Sequence, residues 1–258
     1  MQLKNLSLAV KGLIAVNALL FVVTYFLPGN EQRMSEMLAL YFPMNELFQP
    51  WQFVTHIFMH GGFAHILFNM FALFMFGTPL EKVWGSQRFL IFFFLSGIGA
   101  GLIYTGINFL EFNSLADKLA SNGLSQGEIK LILDTGQYNS SLLSKISKEE
   151  ISEFFTLFHA HVVGASGAVY GILVAFGIMY PNAKLALIFL PVPVAAKYFV
   201  PALLLLDLFS GITGFSLFGG GIAHFAHIGG AIIGFCLMML WRKSTSEYSY
   251  VDYRIRSS

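Results

Sequence analysis

Six long apolar segments constrain the fold of this 258-residue chain more than any other feature. Each is about 16 to 22 residues long, enough helix to cross a hydrocarbon core of roughly 30 Å. Only 11% of the residues are charged, against about 25% in soluble domains. The sequence therefore predicts an all-α polytopic membrane bundle whose six spans run through residues 12–27, 63–80, 89–110, 161–180, 198–217 and 222–241.

Three connecting segments are not typical of membrane spans. Residues 30–55 are rich in aromatic side chains and predict an interfacial first loop. Residues 111–159 are polar, with amphipathic stretches and a capping box at Ser147, and predict an extramembrane helical insertion. The short stretch 185–194 contains two prolines, which favour an interfacial hairpin over a seventh span. Residues 1–258 are interpreted as one membrane domain carrying this insertion.

The distribution of basic residues predicts the orientation. Cytoplasmic loops of membrane proteins are enriched in lysine and arginine. Both termini are therefore expected in the cytoplasm, and the beginning of the fourth span on the extracytoplasmic side. No cleavage site follows the first span and no transit peptide is recognised, so we expect a retained first helix and a bacterial inner membrane. The residues assigned to the cytoplasmic side are Lys4, Lys11, Lys82, Arg88, Lys184, Lys197, Arg242, Lys243, Arg254 and Arg256.

Charge and cysteine content exclude other classes. The net charge is +1, and no basic run exceeds two residues, which argues against nucleic acid as a partner. Cys236 is the only cysteine, so the chain forms no internal disulfide.

The fourth span begins with a Gly-Ala-Ser-Gly motif at residues 164–167. A helix start offers free backbone N–H groups and a positive dipole end, which suit a developing oxyanion. Gly164 and Gly167 leave room for a substrate beside the hydroxyl of Ser166. The alternative is that these small residues only let helices pack closely.

His227 in the sixth span favours the chemical interpretation. Histidine is rare within membrane helices and usually functional there. Gly230 and Gly234 share its helix face and match a glycine stripe just after Ser166, so the two helices can approach closely. We therefore expect a Ser166–His227 dyad, with the imidazole resting on Tyr170 and no carboxylate beside it. Asp207, the only acid within a span, is expected to pair with a backbone group or solvent.

His65 and Asn69 lie one turn apart in the second span. Polar groups at this depth are costly unless they bond to something, and a developing oxyanion is one natural partner. The alternative is that they bond to each other or to a loop carbonyl.

These motifs resemble those of the rhomboid protease family. The resemblance rests on Gly164–Gly167, on Ala226-His227-Ile228-Gly229-Gly230 with Gly234, on His60, His65 and Asn69, and on Glu81–Ser86. It covers roughly residues 40–110 and 160–241. It implies catalysis by Ser166 and His227, and an oxyanion site of His65, Asn69 and the Ser166 backbone N–H. Many members have a Trp-Arg pair in the first loop, whereas here Gln52 follows Trp51, and we assign Gln52 no role.

The resemblance implies intramembrane serine endopeptidase activity on transmembrane protein substrates in the lipid bilayer, with no cofactor. His224 and His60 are expected to support the site rather than act as the base. No His-Glu-x-x-His motif is present, so no metal is expected. The alternative from another class is a proteolytically inactive rhomboid-fold protein that binds transmembrane clients.

Overall fold

The computed structural model describes residues 7–187, 190–215 and 223–244, which are mostly helical. The predicted helical membrane bundle is confirmed, and two antiparallel strand pairs add short extended connections. The helices are α1 Leu8–Phe26, α2 Asn30–Leu38, α3 Gln52–Thr55, α4 Phe63–Ala72, α5 Thr78–Trp84, α6 Ser86–Ser121, α7 Gln126–Thr135, α8 Lys148–His159, α9 Ser166–Met179, α10 Ala196–Thr213 and α11 His224–Ser244. The strand pairs are β1 Leu40–Tyr41 with β2 His161–Val162, and β3 Lys184–Leu187 with β4 Leu190–Ala195.

Within the described ranges, five helices are long and apolar enough to cross a membrane. They are α1, α6, α10, α11 and the continuous helix Phe63–Trp84. In this last helix a π turn joins α4 to α5. The remaining predicted span corresponds to α9, whose 14 residues reach only about 21 Å. The count of six spans therefore stays a prediction. Residues 216–217 and 222, at predicted span ends, lie outside the described residues.

Helix α9 is the centre of the bundle. It packs against α4, α6, α10 and α11, and Ala168, Ile172 and Ala175 are at most 1% exposed. Because neighbouring helices separate α9 from lipid, its length need not match the bilayer. The chain before α9 is extended, since His161 and Val162 pair with the first loop.

The β3–β4 pair forms the hairpin predicted for residues 185–194. Its register pairs Lys184 with Ala195, and residues 188–189 lie outside the described part of the chain. The hairpin connects the end of α9 to the start of α10, and its position at the membrane interface stays a prediction.

A buried carboxylate ties α1 to the junction between α5 and α6. Glu81, only 3% exposed, accepts hydrogen bonds from the backbone N–H groups of Ala9 at 2.8 Å and Val10 at 2.9 Å. It also accepts one from the hydroxyl of Ser86 at 2.5 Å. The first N–H groups of a helix have no partner within the helix. Glu81 therefore caps α1 from another helix.

Gln52 anchors the first loop, and sequence analysis missed it. The fully buried side chain accepts hydrogen bonds from the backbone N–H groups of Tyr41 at 3.3 Å and Gln49 at 3.1 Å. It donates to the carbonyls of Glu36 at 3.1 Å and Leu47 at 2.9 Å. One amide, which both donates and accepts, thus satisfies four backbone groups.

The segment 111–159 forms helices with a core of its own. Helix α6 continues through residue 110 to Ser121, and capping boxes start α7 at Ser125 and α8 at Ser147. The core includes Phe42 of the first loop, so the segment packs on that loop. That the segment lies outside the membrane stays a prediction. Its buried core residues are Phe42, Phe112, Leu119, Ile132, Leu142, Ile146, Ile151 and Phe154.

We expect Gln52→Leu to destabilise the protein, because it leaves backbone donors and acceptors of the first loop without partners. The loss should be about 2 kcal/mol or more, and should lower Tm by about 4–8 °C. Thermal unfolding in detergent measures this. Gln49→Leu is the control, since Gln49 is a half-buried glutamine of the same loop. Equal Tm values for the two variants would contradict the anchoring role.

Candidate active site

The predicted site residues meet at one end of the bundle. His65 lies near the start of α4, Ser166 begins α9, and His227 lies in the first turn of α11. Glu81 and Trp84 lie at the opposite end, since they follow His65 by most of the Phe63–Trp84 helix. The tertiary arrangement therefore gathers residues from three separate helices into one place.

The backbone before Ser166 shapes this place. Gly164 has a φ of +125°, which side-chain-bearing residues rarely adopt, and its N–H donates to the carbonyl of His56 at 2.9 Å. A Cβ on Gly164 would lie 2.7 Å from Nε2 of His65 and 3.6 Å from Oγ of Ser166. Glycine at this position therefore lets the imidazole of His65 lie beside the hydroxyl of Ser166.

Glycine contacts also join α9 to α11. A Cβ on Gly230 would lie 1.9 Å from the carbonyl oxygen of Gly167, and one on Gly234 would lie 2.5 Å from the Cα of Gly171. Backbone therefore packs directly on backbone along both glycine stripes. This is the close approach of helices that the sequence predicts.

This contact brings His227 to Ser166. The distance from Nε2 of His227 to Oγ of Ser166 is 2.9 Å, within hydrogen-bond range. The ring of Tyr170 stacks on that of His227, with centroids 4.3 Å apart and planes 12° from parallel. The imidazole can therefore accept the serine proton while its plane is held by Tyr170.

The expectation that no carboxylate lies beside His227 is wrong. Asp207 of α10 places Oδ2 3.2 Å from Nδ1 of His227 and Oδ1 2.5 Å from Nδ1 of His224. It therefore pairs with two imidazoles, not with a backbone group or solvent. The sequence did not predict this contact, because Asp207 precedes His227 by 20 positions and lies on another helix. A charged group inside a span requires a polar partner, and this was the available signal.

Asp207, His224 and His227 also form a group of potential metal ligands. Their ligand atoms lie within 4.8 Å of one another, and imidazole with carboxylate is a donor set that suits zinc. A carboxylate thus lies beside the pair His224 and His227, although the sequence contains no His-Glu-x-x-His motif. His224 thus lies within the site, bonded to the same carboxylate as His227.

His65 and Asn69 differ in their hydrogen-bond partners. Nδ1 of His65 accepts from the backbone N–H of Gly61 at 3.3 Å, which leaves Nε2 as the protonated nitrogen, facing Gly164. The Asn69 amide donates to the carbonyl of His65 at 2.9 Å, one of the partners that sequence analysis left open. The second amide proton is not used by this bond.

His60 and His56 lie buried beneath the site, before α4. Burial and then the neighbouring His65 lower the pKa of His60 to about 3, and burial lowers the pKa of His56 to about 4. Both rings are therefore neutral at physiological pH. His56 bonds through Nδ1 to the carbonyl of Gln52 at 2.7 Å, and the ring of His60 meets that of His65 edge-on at 5.0 Å.

We expect Gly230→Ala to separate α9 from α11, because the added methyl would overlap the Gly167 backbone. Overpacking of this kind costs about 1–3 kcal/mol and should displace His227 from Ser166. Thermal unfolding and labelling of Ser166 by a fluorophosphonate probe measure the two effects. Gly106→Ala in α6 is the control, since nothing lies within 4 Å of its added Cβ. Unchanged labelling of Gly230→Ala would contradict this account.

Comparison with known proteins supports one family. Over 226 residues the chain is 27% identical to the presenilin-associated rhomboid-like protein, mitochondrial, of Rattus norvegicus, covering 87% of this chain and 46% of the relative. It is 26% identical over 197 residues to rhomboid protease AarA of Providencia stuartii, covering 71% and 53%. A 48-residue segment is 44% identical to rhomboid protease GluP of Bacillus subtilis, covering 19% and 10%.

The chain thus spans about half the length of the curated relatives that it matches over most of its own length. The family model described as the Rhomboid domain matches residues 47–127 and 135–244 of the sequence, which include every residue of the site described above. This match, together with the helical membrane bundle, shows that the chain belongs to the rhomboid family.

Proposed function

We propose that this protein is an intramembrane serine endopeptidase in which Ser166 is the nucleophile and His227 the general base. The observation that carries the proposal is the 2.9 Å contact between Oγ of Ser166 and Nε2 of His227. A serine hydroxyl is weakly nucleophilic unless an adjacent base takes its proton. The names of relatives such as rhomboid protease AarA agree with this chemistry.

The reaction divides into acylation and deacylation. Oγ of Ser166 attacks the scissile carbonyl as its proton passes to Nε2 of His227, and the oxyanion accepts bonds from His65, Asn69 and the Ser166 backbone N–H. His227 then gives the proton to the departing amine, which leaves an acyl-enzyme. Water attacks this ester as His227 takes its proton, and the proton returns to Ser166.

The site has donors that could stabilise an oxyanion, and it lies where water can reach it. Ser166 begins α9, so its backbone N–H lacks a partner within the helix, and Nε2 of His65 carries a proton beside Gly164. The side chain of His227 is 13% exposed, so the dyad lies close to the protein surface. Water is needed to resolve the acyl-enzyme.

The substrates proposed are single-span membrane proteins cut in or near the bilayer. A helical segment must unwind locally to present its carbonyl to Ser166, so small or helix-breaking residues are expected near the cut. We place the site at the extracytoplasmic side of a bacterial inner membrane and both termini in the cytoplasm. The support is that Lys82 and Arg88 lie at the end of the bundle away from Ser166.

Ser166→Ala and His227→Ala are each expected to reduce cleavage of a single-span reporter in liposomes by about 10³-fold or more. Chelator should leave wild-type cleavage unchanged. The fluorophosphonate probe should label the wild-type chain at Ser166, because only an activated serine reacts readily. Ser114→Ala, at an exposed position of α6, is the matched control and should cleave normally.

Two results would contradict the proposal. Cleavage by Ser166→Ala would mean that another residue is the nucleophile. A folded wild-type protein that cleaves nothing in a varied reporter panel and resists the probe would favour the inactive, client-binding alternative.

A further inference from the structure

Asp207 is a buried carboxylate whose two oxygens both face imidazole rings. Its side chain is only 8% exposed, and those of His224 and His227 are 13% exposed. Oδ1 lies 2.5 Å from Nδ1 of His224 and Oδ2 lies 3.2 Å from Nδ1 of His227. An ionised group inside an apolar bundle costs several kcal/mol unless it is paired and hydrogen-bonded. This arrangement supplies a donor to each oxygen.

The carboxylate determines which nitrogen of His227 carries the proton. An ionised carboxylate only accepts hydrogen bonds, so Nδ1 of His227 must be the donor. In a neutral imidazole the other nitrogen is then an acceptor, and Nε2 lies 2.9 Å from the hydroxyl of Ser166. Asp207 therefore favours the tautomer that can take the serine proton. In the opposite tautomer, Nε2 would donate to Ser166 and could not act as its base.

We propose that Asp207 is a positioning residue that makes the Ser166–His227 pair a three-residue relay. The inference rests on the proposed function. When the proton of Oγ passes to Nε2, the ring becomes an imidazolium, and the negative charge of Asp207 stabilises it across the bond to Nδ1. The proton then leaves from Nε2 to the amine of the departing peptide. Asp207 stays ionised throughout, so no proton is gained or lost at the carboxylate.

Tyr170 and His224 also help to hold Asp207 and His227 in place. Tyr170 stacks on the His227 ring, and its hydroxyl interacts with Asp207 from α9. His224 occupies the second carboxylate oxygen, so the buried group is not left half-satisfied. Asp207 thus connects α10 to the first turn of α11 as well as orienting the base.

A metal centre built from the same three residues is the competing account. Their ligand atoms are close enough for one ion. A metal on Nδ1 of His227 would leave the proton on Nε2, because a coordinating nitrogen must be unprotonated. The ring could then no longer accept the proton of Ser166. Metal binding and activation of Ser166 are therefore mutually exclusive at His227, which allows an experiment to separate them.

The test compares Asp207→Asn and Asp207→Glu with wild type on the single-span reporter. Asp207→Asn keeps the size of the side chain but can offer its N–H₂ to Nδ1, which favours the wrong tautomer. We expect kcat to fall by about 10²- to 10⁴-fold, with KM within about threefold of wild type. Asp207→Glu should recover part of the loss. Ser210→Ala, which removes another buried polar side chain of α10, is the matched control and should cleave within about threefold of wild type.

Two measurements distinguish a positioning role of Asp207 from a purely structural one. The acidic limb of the pH profile of kcat/KM should move to lower pH in Asp207→Asn, because imidazolium formation loses its neighbouring negative charge. The other titratable groups facing His227 are His65 from α4, Tyr170 from α9 and His224 on α11 itself, and these are unchanged. ¹⁵N NMR of histidine-labelled protein should show Nδ1 of His227 protonated in the wild type and a shifted tautomer balance in Asp207→Asn.

Three results would overturn the inference. The first is a kcat of Asp207→Asn within about threefold of wild type. The second is a lower kcat accompanied by an unchanged pH profile and a Tm loss of matching size, which would make Asp207 structural. The third is wild-type activity that falls with chelator and returns with Zn²⁺, which would show that cleavage needs a metal, whereas in the relay a metal on His227 blocks activation of Ser166. Each is read only after Ser166→Ala has been shown inactive and wild type active, so failure of the proposed function is recognised separately.

Discussion

The direct packing of backbone on backbone between α9 and α11 is the contact on which the site depends. A methyl group on Gly230 would overlap the backbone of Gly167, and one on Gly234 would overlap the backbone of Gly171. In lipid there is little hydrophobic driving force between helices, so association depends on close packing and on buried hydrogen bonds. Here the close packing also sets the distance between Ser166 and His227. A glycine contact that serves stability thereby also positions these two side chains.

The second constraint is that buried polar groups in the bundle need partners. Glu81 caps α1 from α5 at one end of the bundle, and Asp207 bonds two histidines of α11 at the other. In both cases one carboxylate joins two different helices. Since an unpaired charge in hydrocarbon is costly, each pairing favours one arrangement of helices over others. Asp207 does so at the place where His227 needs a defined orientation.

The first loop and the 111–159 segment form a second packed unit against the site. Gln52 organises the loop, Phe42 joins it to the core of the segment, and Leu40–Tyr41 pair with His161–Val162. Because Ser166 follows Val162 by only four positions, this pairing restrains the chain just before Ser166. The turn at Gly164 completes the connection. The approach to Ser166 is therefore built partly by segments other than the predicted spans.

The sequence by itself determined the class of the fold and predicted the contact between Ser166 and His227. Long apolar runs dictate helices in a bilayer, because every backbone group there must be satisfied within its own helix, and the glycine stripes around Ser166 and His227 predicted a close contact. Tertiary structure alone decided the partners of Asp207 and Gln52. Their bonds connect groups 3 to 20 positions apart, and no periodicity in a single segment reports such contacts. It also decided that α9 is a short central helix, because its surroundings are other helices and not lipid.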